Sequence, residues 1–140
     1  MARPQIAMAH MVSLICEGVF EKFPSFRFLF IEHDVFWVPG LLWHMDGDWK
    51  GLRDYTPWVK RLPSEYVNDH IRFGTQPLPN TPTKADLHTF MEWIHADKLL
   101  LYASDYPHWD WDEPKGFMAD FAPAYRDRVM YENAREFYGF

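Results

Sequence analysis

Two short stretches of this sequence carry the residues whose types and spacing suit chemistry: Glu32-His33-Asp34 and Ser104-Asp105-Tyr106-Pro107-His108. Each follows an apolar run without a spacer, FRFLFIE in the first case and KLLLYAS in the second. A carboxylate such as Asp105 is a hard ligand suited to a divalent metal, and a histidine such as His33 can bind one or move a proton. The neighbouring aromatics Phe36, Trp37, Trp109 and Trp111 would wall such a place and exclude water. Each residue also has a plainer role open to it. An aspartate after a strand often forms a turn or caps a helix, and a histidine often satisfies a buried hydrogen bond. His108, directly after Pro107, reads as tying the turn, with substrate contact as its alternative. Asp110, Asp112 and Glu113 read as a solvated loop.

Three further residues, His88, Glu92 and His95, are spaced to share one helical face. That spacing permits a metal site, but a polar face turned to water accounts for it more simply. The seven tryptophans are read mostly as core.

The elements that must position these groups follow from periodicity. IAMAHMVSLICEGVFEKFP is helical, with Met8, Met11, Val12, Ile15 and Val19 recurring every three or four residues. Residues 26–32 form a short apolar run suited to a strand buried on both faces. A helix starts near Pro39, with Leu41, Leu42 and Met45 as its stripe. Residues 50–69 suggest a short helical turn between loops, and 70–78 a second strand. An amphipathic helix over 83–97 carries Leu87, Phe90, Met91 and Ile94 on one side. A third strand covers KLLLYAS, and the tail gives one or two short helices broken at Pro123. Alternating strands and helices predict an α/β fold with parallel strands, whose C-terminal ends gather at one rim. Glu32-His33-Asp34, Thr75-Gln76 and Ser104-Asp105 would then meet there.

Bulk properties narrow the function. An apolar fraction of 48% with 24% charged residues is globular, so residues 1–140 read as one domain. The net charge of -6 and the lack of any lysine or arginine run argue against a nucleic-acid partner. No apolar run is long enough to span a bilayer, and no targeting segment is recognised at the start, so no membrane partner is expected. A lone cysteine, Cys16, makes no internal disulfide and fits a reducing, cytoplasmic setting.

At this level of detail the residues resemble a known family. FPSFRFLFIEHDVFWVPGLLWHMD and LLLYASDYPHWDWDEP look like the sixth- and eighth-strand motifs of the amidohydrolase-related family. SEYVNDHIRFGTQPL resembles the approach to its seventh strand, and NAREFYGF its closing helix. The resemblance implies the C-terminal portion of a (β/α)8 barrel: about strands six to eight with their helices, preceded by helix five. It implies a metal-dependent hydrolase or non-oxidative decarboxylase, in the manner of aminocarboxymuconate-semialdehyde or γ-resorcylate decarboxylase. A small-molecule substrate, aromatic by the company of tryptophans, and a divalent metal, usually zinc, come with it. By resemblance Asp105 holds the metal or its activated water, and His33 handles protons or polarises substrate. Phe36, Trp37, His108 and Trp109 would contact substrate. The family's first-strand His-x-His or Glu-x-His pair and fifth-strand histidine have no counterpart, and His10 does not replace the latter. The chain is therefore expected to be a fragment starting inside the fifth helix, with an incomplete barrel and open edges on its first and last strands. Such a fragment would form a homo-oligomer, be completed by the missing N-terminal part, or survive as an inactive structural or interaction module.

Overall fold

The computed structural model describes residues 2–140, apart from the side chains of Met118 and Asp120. Helix α1 (Arg3–Cys16) opens with Pro4 in its first turn and buries Ala7, Met11 and Ile15. Gly18 follows at φ 69°, where an added Cβ would lie 2.5 Å from Trp58 Cδ1. Only glycine fits there, because both the backbone angle and the space exclude a side chain. A single turn, α2 (Val19–Lys22), leads to strand β1 (Phe28–Phe30). Helix α3 (Val38–Leu52), with Pro39 in its first turn, runs into a 3₁₀ turn at Arg53–Tyr55. Helix α4 (Pro63–His70) then feeds β2 (Ile71–Gly74). Residues 50–69 are thus more helical than their polar composition suggests. The start of α4 is fixed by Glu65, which accepts the Leu62 N–H at 2.8 Å, and by Asp46 of α3, which accepts the Ser64 N–H at 2.9 Å.

Helix α5 (Lys84–Trp93) starts with a reciprocal cap between Thr83 and Asp86 and is followed by α6 (Ala96–Leu99) and β3 (Leu100–Leu101). The single helix expected over 83–97 is therefore two. They are separated at His95, whose φ of 51° is left-handed and cannot continue a right-handed helix. The second and third strands are also shorter than expected. Gly74 ends β2 just ahead of Gln76-Pro77, and Lys98 and Leu99 belong to α6. The tail holds α7 (Pro114–Asp120), α8 (Pro123–Asp127), a π turn at Arg128–Glu132 and α9 (Asn133–Tyr138), with the break at Pro123 as expected.

The three strands form one unclosed parallel sheet in the order β1-β2-β3. Phe28 pairs with Ile71, Phe30 with Phe73 and Phe73 with Leu100. Alternation puts these five residues on one face, where Phe30 stacks on Phe73 and the Trp37 ring meets both edge-on. On the other face Arg27 and Arg72 both lie over the Phe137 ring of α9. With two to four residues per strand, backbone pairing alone holds little. Burial of Phe30, Ile71, Phe73 and Leu100, worth roughly 1.5–3 kcal/mol each, does most of the holding.

The last strand does not present a bare edge. Leu100 O and Ala96 O both accept from the buried Asn133 Nδ2, at 2.8 and 3.0 Å, and Val129 O accepts the Tyr102 N–H at 2.9 Å. The chain's own C-terminal segment thus meets backbone groups that a neighbouring strand would otherwise pair. β1, with β2 as its only strand partner among the described residues, is an open edge as expected.

The tryptophans depart most from expectation. None of the seven is buried; Trp43, Trp58, Trp93, Trp109 and Trp111 are exposed. The core is built from phenylalanine, methionine and aliphatic side chains instead.

Asn133 offers a direct test of this edge. Replacing it with alanine leaves Ala96 O and Leu100 O without a donor and should lower the urea-unfolding free energy by about 2 kcal/mol. A change within a few tenths of a kcal/mol would show that the β3 edge does not depend on it.

Candidate active site

All three strands run parallel, so their C-terminal ends lie on one side of the sheet. Adjacent strands sit about 4.8 Å apart, which puts the end of β1 roughly 10 Å from the end of β3. Backbone strain concentrates at these ends. Glu32, Asp34 and Asp105 have φ of 62°, 61° and 57°, in the left-handed region that non-glycine residues seldom occupy.

Beyond β1, Asp34 holds its own turn. Its Oδ1 accepts the Phe36 N–H at 2.9 Å and the Val35 N–H as well. The Trp37 indole N–H is shared between His33 O and Asp34 O, at 3.0 Å each, so Trp37 braces the backbone that carries His33. The His33 Nδ1–H donates to Arg3 O at 3.0 Å, while the Arg3 guanidinium pairs with Glu32 at 3.2 Å. This bond fixes the ring's tautomer and leaves Nε2 as its free nitrogen among the described residues. Nothing in the spacing of α1 announces that Arg3 steadies His33; the contact joins residues thirty positions apart.

Beyond β2, Thr75 and Gln76 are buried and tie the neighbouring loop down. The Thr75 N–H donates to Leu101 O at 2.9 Å, its Oγ1 accepts the Ala103 N–H at 3.0 Å, and Gln76 Nε2 donates to Asp110 O at 2.9 Å. Two more bonds fold the β3 loop back on itself, from Tyr102 Oη to Asp112 O at 2.5 Å and from Asp112 N to Ser104 O at 2.9 Å. Two of the X–Pro bonds in these loops, Gln76–Pro77 and Tyr106–Pro107, are cis.

Beyond β3, Asp105 is presented at the head of a turn closed by the His108 N–H on Asp105 O, 2.9 Å. Its carboxylate, with 17% of the side chain exposed, accepts the His108 Nδ1–H through Oδ2 at 2.7 Å. Oδ1 has no partner among the described residues. That hydrogen bond, and the Asp105 charge behind it, hold the His108 imidazole above its ordinary range; Glu32 and Asp110 add to the effect. Burial raises the Asp112 carboxyl, with the charges of Asp110 and Asp105 adding to it.

The rim therefore gathers Glu32, His33, Asp105, His108 and Asp110 on one side of the sheet. No hydrogen bond or ion pair joins His33 to Asp105 among the described residues. Phe36 lies elsewhere, stacked on Phe90 of α5 at 4.1 Å. Trp109 is 94% exposed, while Trp111 meets Tyr106 edge-on at 5.4 Å. His88, Glu92 and His95 do not share a helical face, because His95 falls outside α5. The donors do not amount to a metal centre. Among the described residues no three His, Cys, Asp or Glu side chains are grouped to hold an ion, whereas a catalytic zinc takes three protein ligands. Asp105 and His108 by themselves do not fit one.

A family model described as amidohydrolase matches residues 2–140. No curated protein matches the sequence. Among solved structures, an amidohydrolase from Mycobacterium avium subsp. paratuberculosis K-10 aligns with TM-score 0.74 at 23% identity, covering 95% of this chain and 33% of that one. A dihydroxybenzoic acid decarboxylase from Polaromonas sp. JS666, with bound manganese and the inhibitor 2-nitroresorcinol, aligns with TM-score 0.69 at 19% identity, covering 97% and 40%. A 2,6-dihydroxybenzoate decarboxylase in complex with 2,6-dihydroxybenzoate aligns with TM-score 0.72 at 22% identity, covering 98% and 42%. This chain thus spans between a third and about two-fifths of the length of these structures.

The Asp105–His108 contact is testable by NMR titration of the imidazole. The midpoint for His108 should lie above the free value of about 6.5 and fall back toward it in Asp105→Asn. Because the native value is the raised one, the pair's contribution is complete at pH below the unfolded value and is lost as pH rises through the native one. An unchanged midpoint in Asp105→Asn would show that the two side chains do not interact in solution.

Proposed function

The chain belongs to the amidohydrolase family over residues 2–140, and from that premise we propose that it is the C-terminal part of a metal-dependent hydrolase or non-oxidative decarboxylase acting on a small organic substrate. Its β1, β2 and β3 are read as strands six, seven and eight of a (β/α)8 barrel, whose chemistry belongs at the C-terminal ends of the strands. The observation that carries the reading is the presentation of Asp105 at the end of β3, one oxygen held by His108 and the other without a partner among the described residues.

In this reading Asp105 offers its free oxygen as one ligand of a divalent metal, zinc or manganese, whose remaining ligands come from residues outside this chain. The donors among the described residues do not suffice to hold a metal by themselves. The chain's own residues have defined tasks. His33, its Nδ1–H committed to Arg3 O, gives or takes a proton at Nε2. His108 fixes the Asp105 carboxylate and offers a cationic edge to a carboxylate or phenolate substrate. The tryptophans of the β3 loop, Trp109 and Trp111, favour a flat, aromatic substrate, in keeping with the ligands of the two decarboxylase structures. Trp37 shapes the rim from behind by bracing His33, and Phe36 supports α5. The competing reading, an inactive structural or interaction module, draws on the absence, among the described residues, of any three such side chains grouped to hold a metal.

Metal retention separates the two. The chain would be co-expressed with the N-terminal remainder of the 2,6-dihydroxybenzoate decarboxylase, and the metal content measured after gel filtration. The expected result is a complex retaining a divalent metal near one per pair, which Asp105→Ala releases while the pair stays assembled. A complex whose metal content is indifferent to Asp105→Ala would remove Asp105 as a ligand and favour the module.

A further inference from the structure

At the opposite end of β3 from Asp105, two of the exposed tryptophans meet. Trp43 of α3 and Trp93 at the end of α5 are 59% and 54% exposed, with ring centroids 5.5 Å apart and planes at 73°. Large aromatic surface left in water on adjacent helices is costly, and it is a common feature of binding surfaces. Here the two rings wall a cavity of about 180 Å³ between α3, α4 and the junction of α5 with α6. Its apolar floor includes Val38, Ile94 and Leu99, each buried.

The wall holds one acidic group, Asp46, three residues beyond Trp43. Its Oδ1 is committed to the Ser64 N–H at 2.9 Å. Its Oδ2 has no hydrogen-bond or ion-pair partner among the described residues. Among the described residues no lysine or arginine lines the cavity, and His95 is its other titratable side chain. A carboxylate lining the same cavity as two indoles is complementary to one kind of ligand in particular. The electron-rich face of an indole attracts a cation lying within about 6 Å of its centroid, more strongly when water is partly excluded. A carboxylate at the same site adds Coulomb attraction.

We propose that this cavity binds a small organic ammonium ion, with the cation against Trp43 and Trp93 and its charge balanced by Asp46. The volume sets the size. Pockets for drug-sized molecules start at roughly 300 Å³, so this one takes a head group such as that of choline. The site shares no residue with the strand-end rim and does not depend on the reaction proposed there.

The experiment compares choline with its neutral carbon analogue, 3,3-dimethylbutan-1-ol, which has the same shape without the charge. Binding is read by calorimetry and by the indole N–H resonances of the whole chain. Choline should bind saturably and shift the Trp43 and Trp93 signals, with the alcohol roughly tenfold weaker. Asp46→Asn keeps an oxygen for the Ser64 N–H and so preserves the start of α4. It should weaken choline by roughly tenfold and leave the alcohol unchanged. Trp93→Phe should weaken choline while Asp105→Ala leaves it alone. Absence of saturable choline binding, equal binding of the alcohol, or indifference to Asp46→Asn would each overturn the proposal; the first two need no variant and hold whether or not a substitution disturbs folding.

Discussion

Everything at the strand-end rim of this molecule depends on where the backbone groups of a two-residue strand find their partners. β3 is Leu100 and Leu101, too short to be held by strand pairing alone, yet it carries the loop that presents Asp105. Buried backbone groups must be paired, so side chains and backbone groups outside the ladder finish what it cannot. On the β2 side Thr75 supplies both a donor and an acceptor, to Leu101 O and from the Ala103 N–H. On the outer side Asn133 and Val129 serve Leu100 O and the Tyr102 N–H. The C-terminal π turn and α9 are therefore part of what holds the candidate site in place.

With that strand held, the ends of β1 and β3 become comparable in construction. Each carries at least one non-glycine residue in the left-handed region, and an aspartate secures each turn, Asp34 through its carboxylate and Asp105 through its backbone carbonyl and its carboxylate. The difference lies in what each carboxylate engages. Asp34 spends Oδ1 on two backbone N–H groups of its own turn, whereas Asp105 Oδ2 engages the side chain of His108. Trp37 and Arg3 then steady the His33 segment from two directions. A strained presentation supported on several sides is how a fold keeps reactive groups pre-positioned.

The aromatic residues divide by task in a way their number conceals. Phenylalanines stack through the centre, Phe30 on Phe73 and Phe36 on Phe90. The tryptophans sit at the periphery, where an indole can donate its N–H. Trp37 reaches His33 O and Asp34 O, Trp49 reaches Val59 O, and Trp58 reaches Cys16 O. A buried indole needs an acceptor for that proton, and an apolar centre made of Phe, Met, Val and Leu provides none.

Local pattern by itself determined a good deal: the order of elements, the parallel α/β class, the break at Pro123, and the arrival of His33 and Asp105 at strand ends. These follow from hydrophobic periodicity and from the restricted backbone of proline, both properties of neighbouring residues. The motif resemblance likewise needed only contiguous stretches, and it led to the family. Tertiary structure alone decided what depends on distant partners. The helix over 83–97 breaks at a left-handed His95 that periodicity does not register. The β3 edge is closed by Asn133, more than thirty positions away, and the peripheral placement of the tryptophans follows from where acceptors lie in the folded chain. The free nitrogen of His33 is set by a carbonyl on α1, and the free oxygen of Asp105 by the turn that brings His108 back to it. Which atom of a reactive side chain stays available is a question of contacts, and contacts between distant residues exist only once the chain has folded.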